Sequence, residues 1–302
     1  MILPLIGSEN EDAALLSTPV TPIVAKVDAF DAEMHMLPLM SYRHAGIKAF
    51  ISPVSDVLVK GASPFAALIS LRASQDMSED SVRELYSGLL EAAARYNVRI
   101  VGGDTDIAER GHFRLDVFVI GTLSGKFLRR GGARVGDLVA ITGTLGLSSV
   151  LYEAAYSHSN LACSLGETIV EDYAWGNLPD PRTWLEVKDY ISAAIDNSDG
   201  LALSLHYISE SSSVRIILNG KIPVNEYALR CFGSKAWFKA LYYSGEEHNF
   251  VFTVPSDCEW VVDRLGATVI GRVDRGRGVV TSEGEEVKRF GWVSGAGYAD
   301  RL

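Results

Sequence analysis

Apolar residues recur along the chain with two periods. From Thr21 to Asp28, the residues Pro22, Ile23, Val24, Ala25 and Val27 form a nearly continuous apolar run, the pattern of a largely buried strand, with Asp28 at its end and His35 close behind. Ser41 to Lys60 predicts a helix with Ala45, Ala49, Val54 and Val57 turned inward, and Pro53 either kinks it or starts a second helix. Phe65, Ala67, Ile69 and Leu71 alternate as a strand does. Ser81 to Tyr96 carries the clearest helical stripe, in Val82, Leu85, Leu89, Leu90 and Ala93, and Ser81 with Glu84 fits a capping box. Val98 to Val101 predicts a short strand that breaks into a turn at Gly102-Gly103-Asp104-Thr105-Asp106, because glycine and aspartate punctuate turns. Phe113, Leu115, Val117 and Val119 resume the strand alternation. This order of strands and helices predicts an α+β domain, and Arg129 to Arg134, flexible and charged, interrupts it as a domain boundary.

The second half opens with a strand at Asp137 to Thr142, a turn at Gly143-Thr-Leu-Gly146 and a helix near Ser148. That turn either presents backbone N–H groups to a phosphate or merely separates strand from helix. Neither a GxGxxG fingerprint nor a Walker A sequence is present. Residues 157 to 180 lack periodicity, as expected of a loop or a small helical insertion. Asp196, Ser198 and Asp199 then bracket another strand-to-helix turn. Further strands are predicted near 214–218, 250–254 and 267–273, with helices near 225–241 and 257–265.

Composition narrows the function classes. A chain of 302 residues is long enough for two cores, here predicted as 1–130 and 131–302. A net charge of -10 argues against a broad nucleic-acid footprint, and no apolar run is long enough to cross a membrane. The three cysteines are widely spaced without a CxxC, so neither a disulfide framework nor a zinc site is expected, and a cytoplasmic location fits.

Against that acidic background, Asp12, Asp28, Asp56, Asp104, Asp196 and Asp199 each fall at or near a predicted element end. They either cap helices and turns or gather around cations. Gathered carboxylates repel one another, and several Mg²⁺ ions would relieve this, since Mg²⁺ takes oxygen ligands and shares its sphere with substrate phosphates. Phosphoryl transfer is the chemistry that uses such a site.

These residues also carry a resemblance. Glu11-Asp-Ala-Ala-Leu15, Asp28 with His35, Gly46-Ile-Lys-Ala49, Ser55-Asp56 with Gly61-Ala62, Gly102-Gly-Asp-Thr105, Leu128 to Asp137, Thr142-Gly-Thr-Leu-Gly146 and Ile195 to Leu201 occur in an order that resembles the thiamine-monophosphate kinases, within the aminoimidazole ribonucleotide synthetase superfamily. The resemblance implies an N-terminal α+β domain with a ferredoxin-like sheet that forms a homodimer, followed by an α/β C-terminal domain closing over ATP. It implies phosphorylation of thiamine phosphate to thiamine diphosphate, with the six aspartates holding several Mg²⁺ ions. Gly103, Asp104, Arg130 and Ser198 would meet ATP, and His35, Glu247 and Trp292 the substrate, with no general base required. Arg130 is otherwise a solvated linker residue, and Trp292 either stacks on the substrate ring or packs in the core.

The chain departs from the family pattern at Glu11-Asp12, at Lys26-Val27, at Pro53-Val54, at Ser204 and at Gly245-Glu-Glu-His-Asn249. Lys26 is expected to replace part of one ion's charge, or to reduce the number of ions bound. The competing readings are an amide-activating synthetase of the same superfamily and a non-catalytic nucleotide-binding protein.

Overall fold

The computed structural model describes residues 11–16, 20–109, 111–156, 165–166, 168–293 and 297–300. The chain divides into two compact units, Met1–Phe127 with Val170–Trp175, and Leu128–Ile169 with Gly176–Leu302. Among the described residues no helix is long and apolar enough to cross a membrane.

The first unit is a five-stranded sheet with helices on one face. Its strands β1 (Ala14–Leu16), β2 (Ile23–Asp31), β3 (Ala62–Ser74), β4 (Arg99–Ala108) and β5 (Arg114–Leu123) lie in the order β1-β2-β5-β3-β4. Only β3 and β4 pair in parallel; the other neighbours are antiparallel. A four-residue helix α1 (Ala32–His35) follows β2, and the long helices are α2 (Tyr42–Val59) and α3 (Glu79–Arg95).

Helix α2 is buried from Ala45 to Val59 except at Ser52. A helix apolar nearly all round belongs between layers, and α2 lies between β2, β3 and β5 on one side and α3 on the other. It runs through Pro53 as one helix, so of the two alternatives at Pro53 a second helix start is not found. Its contact with α3 is close because both helices carry glycine there: a Cβ on Gly46 would lie 2.1 Å from the Leu85 carbonyl oxygen, and one on Gly88 would lie 2.0 Å from that of Arg43.

Three local expectations change. The α3 cap is Ser78, whose Oγ accepts from the Ser81 amide at 3.1 Å, so Ser81 lies inside the helix. Leu90, placed in the inward stripe, is 58% exposed. Phe65 is exposed as well, because the β3–β5 register shifts between Pro64 and Ala66 and the alternation changes face there.

The Gly102 to Asp106 stretch is not a turn but the middle of β4. β4 pairs with β3 on one side and stands at the sheet's edge, where exposed polar residues are tolerated and discourage pairing with another chain. On the sheet face away from α2, Val27, Phe118 and Leu68 form a row across three strands, and Val27 and Leu68 are exposed.

The second unit holds β6 (Leu138–Ile141), α4 (Leu147–Tyr156), α5 (Ile169–Trp175, of which Val170–Trp175 belongs to the first unit), α6 (Pro181–Val187), β7 (Ala193–Asp196) and α7 (Leu201–Ser212). It continues through β8 (Arg215–Leu218), α8 (Glu226–Phe232), α9 (Ala236–Tyr242), β9 (Phe250–Val254), α10 (Trp260–Arg264), β10 (Thr268–Asp274) and β11 (Gly278–Thr281) to a terminal hairpin of β12 (Phe290–Val293) and β13 (Gly297–Asp300). Six strands form a mixed sheet in the order β11-β8-β10-β6-β9-β7, and α7 packs its Leu201, Leu205 and Ile208 into the main core.

Cysteine usage differs from expectation. Cys231 is disulfide-bonded, and Cys258 is a free thiol. Spacing along the sequence could not show this, because the fold decides which distant cysteines meet.

Candidate functional site

Alternation along β2 sets the first part of the site. Val24, Lys26, Asp28 and Phe30 share one face; Val24 and Phe30 are buried, and this face is turned to α2. One turn before its end, α2 presents Asp56. The Lys26 Nζ lies 3.2 Å from Asp28 Oδ1 and 2.7 Å from Asp56 Oδ2, while the Ser52 hydroxyl donates to Asp28 Oδ2 at 3.2 Å. Immediately after α2, Lys60 is fully buried and reaches Glu11 Oε2 at 2.8 Å and Asp12 Oδ2 at 2.6 Å. Carboxylate oxygens of Asp12 and Asp56 lie within 4.8 Å of one another.

The structure thus draws Asp12, Asp28 and Asp56 together with Glu11, Lys26 and Lys60. Among the described residues of the first unit, these four carboxylates and two ammonium groups sum to a formal charge of -2. Short, hard oxygen donors at this spacing suit Mg²⁺. Asp104 does not join this group. It is exposed on β4 beside Ser70, in the row that continues through Asp116 to Ala29, one row from that of Asp28, Val117 and Ile69. Gly103 is required by packing as much as by any ligand, since a Cβ there would lie 1.8 Å from the Ile69 carbonyl oxygen.

His35 ends α1. Its Nδ1 lies 2.9 Å from the Asp31 amide nitrogen and 3.1 Å from the Asp31 carbonyl oxygen, and the ring tilts against Phe30. A second cluster in this unit was not anticipated. Arg43 donates to both carboxylate oxygens of Glu171, at 2.6 and 3.0 Å, and also holds Glu91. The Arg43 hydrogen bonds, helped by those of Trp175 and His44, hold the Glu171 carboxyl down at about 2.

In the second unit, the segment from Asp196 to Gly200 joins β7 to α7. Asp196 is buried and faces the Nδ1 of buried His248 at 3.3 Å, a residue held at φ 53°. The Ser198 carbonyl accepts from the Glu246 amide at 2.7 Å, and the Asp199 carbonyl accepts from the Trp292 amide at 2.8 Å. Hydrogen bonds from the Glu246 loop and from β12 therefore fix the segment. His248 escaped the sequence reading because a lone histidine in a loop carries no periodic signal.

Of the two further expected substrate contacts in this unit, Glu247 has an internal role and Trp292 has a ring contact within the chain. Glu247 is buried, and its carboxylate accepts from the Gly146 amide at 3.0 and 3.1 Å, the Ser148 amide at 2.9 Å and the Ser148 hydroxyl at 2.6 Å. It caps the N-terminus of α4, where the helix dipole favours an anion. The Gly146 amide at the end of the Gly143 to Gly146 turn, which could have faced a phosphate, holds the chain's own carboxylate instead, and the Leu145 amide donates to the Pro223 carbonyl. Trp292 packs edge-on against Tyr298 with ring centroids 5.5 Å apart, and the Tyr298 hydroxyl accepts from the Gly245 amide. Arg130 rests its guanidinium 5.0 Å from the centre of the Tyr207 ring, so it is not a loosely solvated linker arginine.

The same architecture occurs in known proteins. Residues 10–123 match the family model described as AIR synthase related protein, N-terminal domain. The thiamine-monophosphate kinase of Pyrococcus horikoshii is 34% identical over 262 residues, covering 84% of this chain and 80% of that protein. The thiamine-monophosphate kinase of Aquifex aeolicus is 31% identical over 296 residues, covering 94% and 91%. A solved structure described as AaThiL complexed with AMPPCP and TMP superimposes with a TM-score of 0.84 at 27% identity, over 96% of this chain and 94% of that one. The hydrogenase maturation protein HypE shares the fold at 20% identity, with a TM-score of 0.75 over 97% of this chain and 95% of that one. With this identity spread over most of both chains, the chain belongs to the thiamine-monophosphate kinase family.

Proposed function

We propose that the protein transfers the γ-phosphoryl group of ATP to thiamine phosphate, giving ADP and thiamine diphosphate. The observation that carries this reading is the gathering of Asp12, Asp28 and Asp56 at element ends, in the fold of a relative whose solved structure is described with AMPPCP and TMP. An oxygen of the acceptor phosphate attacks the γ-phosphorus in line. The new P–O bond forms as the bond to the β–γ bridging oxygen breaks, and the electron pair leaves on ADP. The acceptor oxygen is already anionic, so no general base is needed and the problem is alignment and charge.

Asp12, Asp28, Asp56, Asp104, Asp196 and Asp199 are the residues that would hold Mg²⁺. When bound, Mg²⁺ supplies neutralisation of the phosphate oxygens. Lys26 and Lys60 keep the first three carboxylates assembled, and His248 orients Asp196. Gly103 and Ser198 would approach the nucleotide through backbone and hydroxyl, with Arg130 as a permanently charged donor to its phosphates. His35 and Trp292 would contact the acceptor, whereas Glu247 supports the site through α4. A second copy of the chain would cover the open sheet face around Val27 and Leu68, giving a homodimer.

An assay coupled to ADP release, run over thiamine phosphate and related small phosphates with and without Mg²⁺, tests the reading. Turnover with thiamine phosphate that requires Mg²⁺ is the expected result. Turnover only with an amide-bearing acceptor would point to a synthetase, and nucleotide binding without turnover to a non-catalytic protein.

A further inference from the structure

We propose that Lys26 is a built-in cation that holds the place of one divalent ion between Asp28 and Asp56, so that this chain binds one ion fewer than the same site would with an uncharged residue at position 26. The inference deepens the proposed function by assigning part of its metal requirement to the chain itself, and it rests on Asp28 and Asp56 being ion ligands.

Geometry carries the argument. Asp28 comes from a strand and Asp56 from a helix, and the Lys26 ammonium touches both carboxylates, at 3.2 and 2.7 Å. A single metal bridging those two side chains would occupy the same space. Both Asp28 oxygens have a partner, one in Lys26 and the other in the Ser52 hydroxyl, and an ion placed between Asp28 and Asp56 would have to displace the Lys26 ammonium. A second cation within about 3 Å of an ammonium in a poorly hydrated site is strongly repelled, which makes the two occupants mutually exclusive.

The position of Lys26 is built in rather than a chance of a flexible surface chain. Its strand places it two residues from Asp28 on the inward face, between the buried Val24 and Phe30. The side chain is only one-quarter exposed, and Asp56 is buried. On the neighbouring carboxylates Lys60 does the same, tying Glu11 to Asp12. A lysine-for-metal exchange has a chemical consequence. An ammonium donates hydrogen bonds and a single charge, but it cannot bind phosphate oxygen by coordination. The Asp28–Asp56 position is therefore a positioning element, and phosphate coordination falls to the remaining ligands.

The test is a count of bound Mn²⁺ by equilibrium dialysis and electron paramagnetic resonance on the full-length chain, with and without saturating AMPPCP. Wild type is compared with Lys26→Thr, Lys26→Met and Lys26→Arg. One additional Mn²⁺ in Lys26→Thr, and none in Lys26→Arg, is the expected result. In EDTA, Lys26→Thr and Lys26→Met should melt lower than wild type, and Mn²⁺ should restore Lys26→Thr. An ion pair with no relation to a metal position would give the melting loss without the restoration. Equal Mn²⁺ counts in wild type and Lys26→Thr would overturn the inference while leaving the proposed function standing. If neither wild type nor variant binds Mn²⁺, the ligand reading of Asp28 and Asp56 falls as well. Should the uncharged variants fold only in Mn²⁺, the inference is supported; should they fail to fold in either condition, it is rejected.

Discussion

Replacing Lys60 by methionine keeps the aliphatic stem and removes the ammonium from a fully buried position, so the loss is almost purely electrostatic. Lys60 holds Glu11 Oε2 at 2.8 Å and Asp12 Oδ2 at 2.6 Å, and both carboxylate side chains are nearly as buried as the lysine. At an effective dielectric of about 20, each contact is worth roughly 6 kcal/mol before desolvation. Desolvation of the three groups offsets most of that gain. What the substitution leaves behind is a pair of buried carboxylates without their partner, and breaking a buried pair in this way costs about 3–5 kcal/mol. For units of this size that corresponds to a melting point lower by roughly 6–20 °C. Urea unfolding followed by circular dichroism, with thermal melts in EDTA and in Mg²⁺, measures it. Mg²⁺ should recover part of the loss if Asp12 is an ion ligand. A loss below about 1 kcal/mol, the range of exposed ion pairs, would refute the claim that this network is a buried one on which the site is built.

Three further outcomes follow from other parts of the structure. Gly88→Ala should destabilise the first unit by about 1–3 kcal/mol in urea unfolding, because the 2.0 Å approach of a Cβ to the Arg43 carbonyl oxygen outweighs the helix propensity gained; the exposed neighbour Ser87→Ala should stay within about 0.5 kcal/mol of wild type. Glu171 has a folded pKa of about 2 against an ordinary 4.5. Its contribution is therefore fully present above about 4.5 and lost as pH falls toward 2; Glu171→Gln should be less stable than wild type at neutral pH, and the gap should close across that window in acid titrations monitored by fluorescence. Asp104→Asn, at an exposed edge-strand position, should change stability by less than about 0.5 kcal/mol and lower turnover roughly 100-fold or more in the ADP-coupled assay, on the scale of losing one charge-stabilising group; wild-type turnover would remove Asp104 from the ligand set.

Much of this protein is legible in its sequence because burial is periodic. Two-residue alternation located β5 through Leu115, Val117 and Val119, and the apolar run of residues 22–27 located β2. The helical stripe located α3, and the ordered acidic motifs identified the family. Where periodicity is broken by pairing, the sequence misleads. Phe65 changed face at a register shift, and the Gly102 to Asp106 stretch looks like a turn yet is held extended by β3. The partners of charged residues are outside the reach of local pattern altogether. Lys60 and Asp12 are far apart in the chain, as are Glu247 and the α4 N-terminus, and Arg43 and Glu171. Hydrophobic periodicity records which side of an element faces the core, a property of neighbouring residues. Which carboxylate meets which cation depends on how those elements pack, and only the tertiary structure decided it: Lys26 between two aspartates, and Glu247 on a helix end where a phosphate could have been expected.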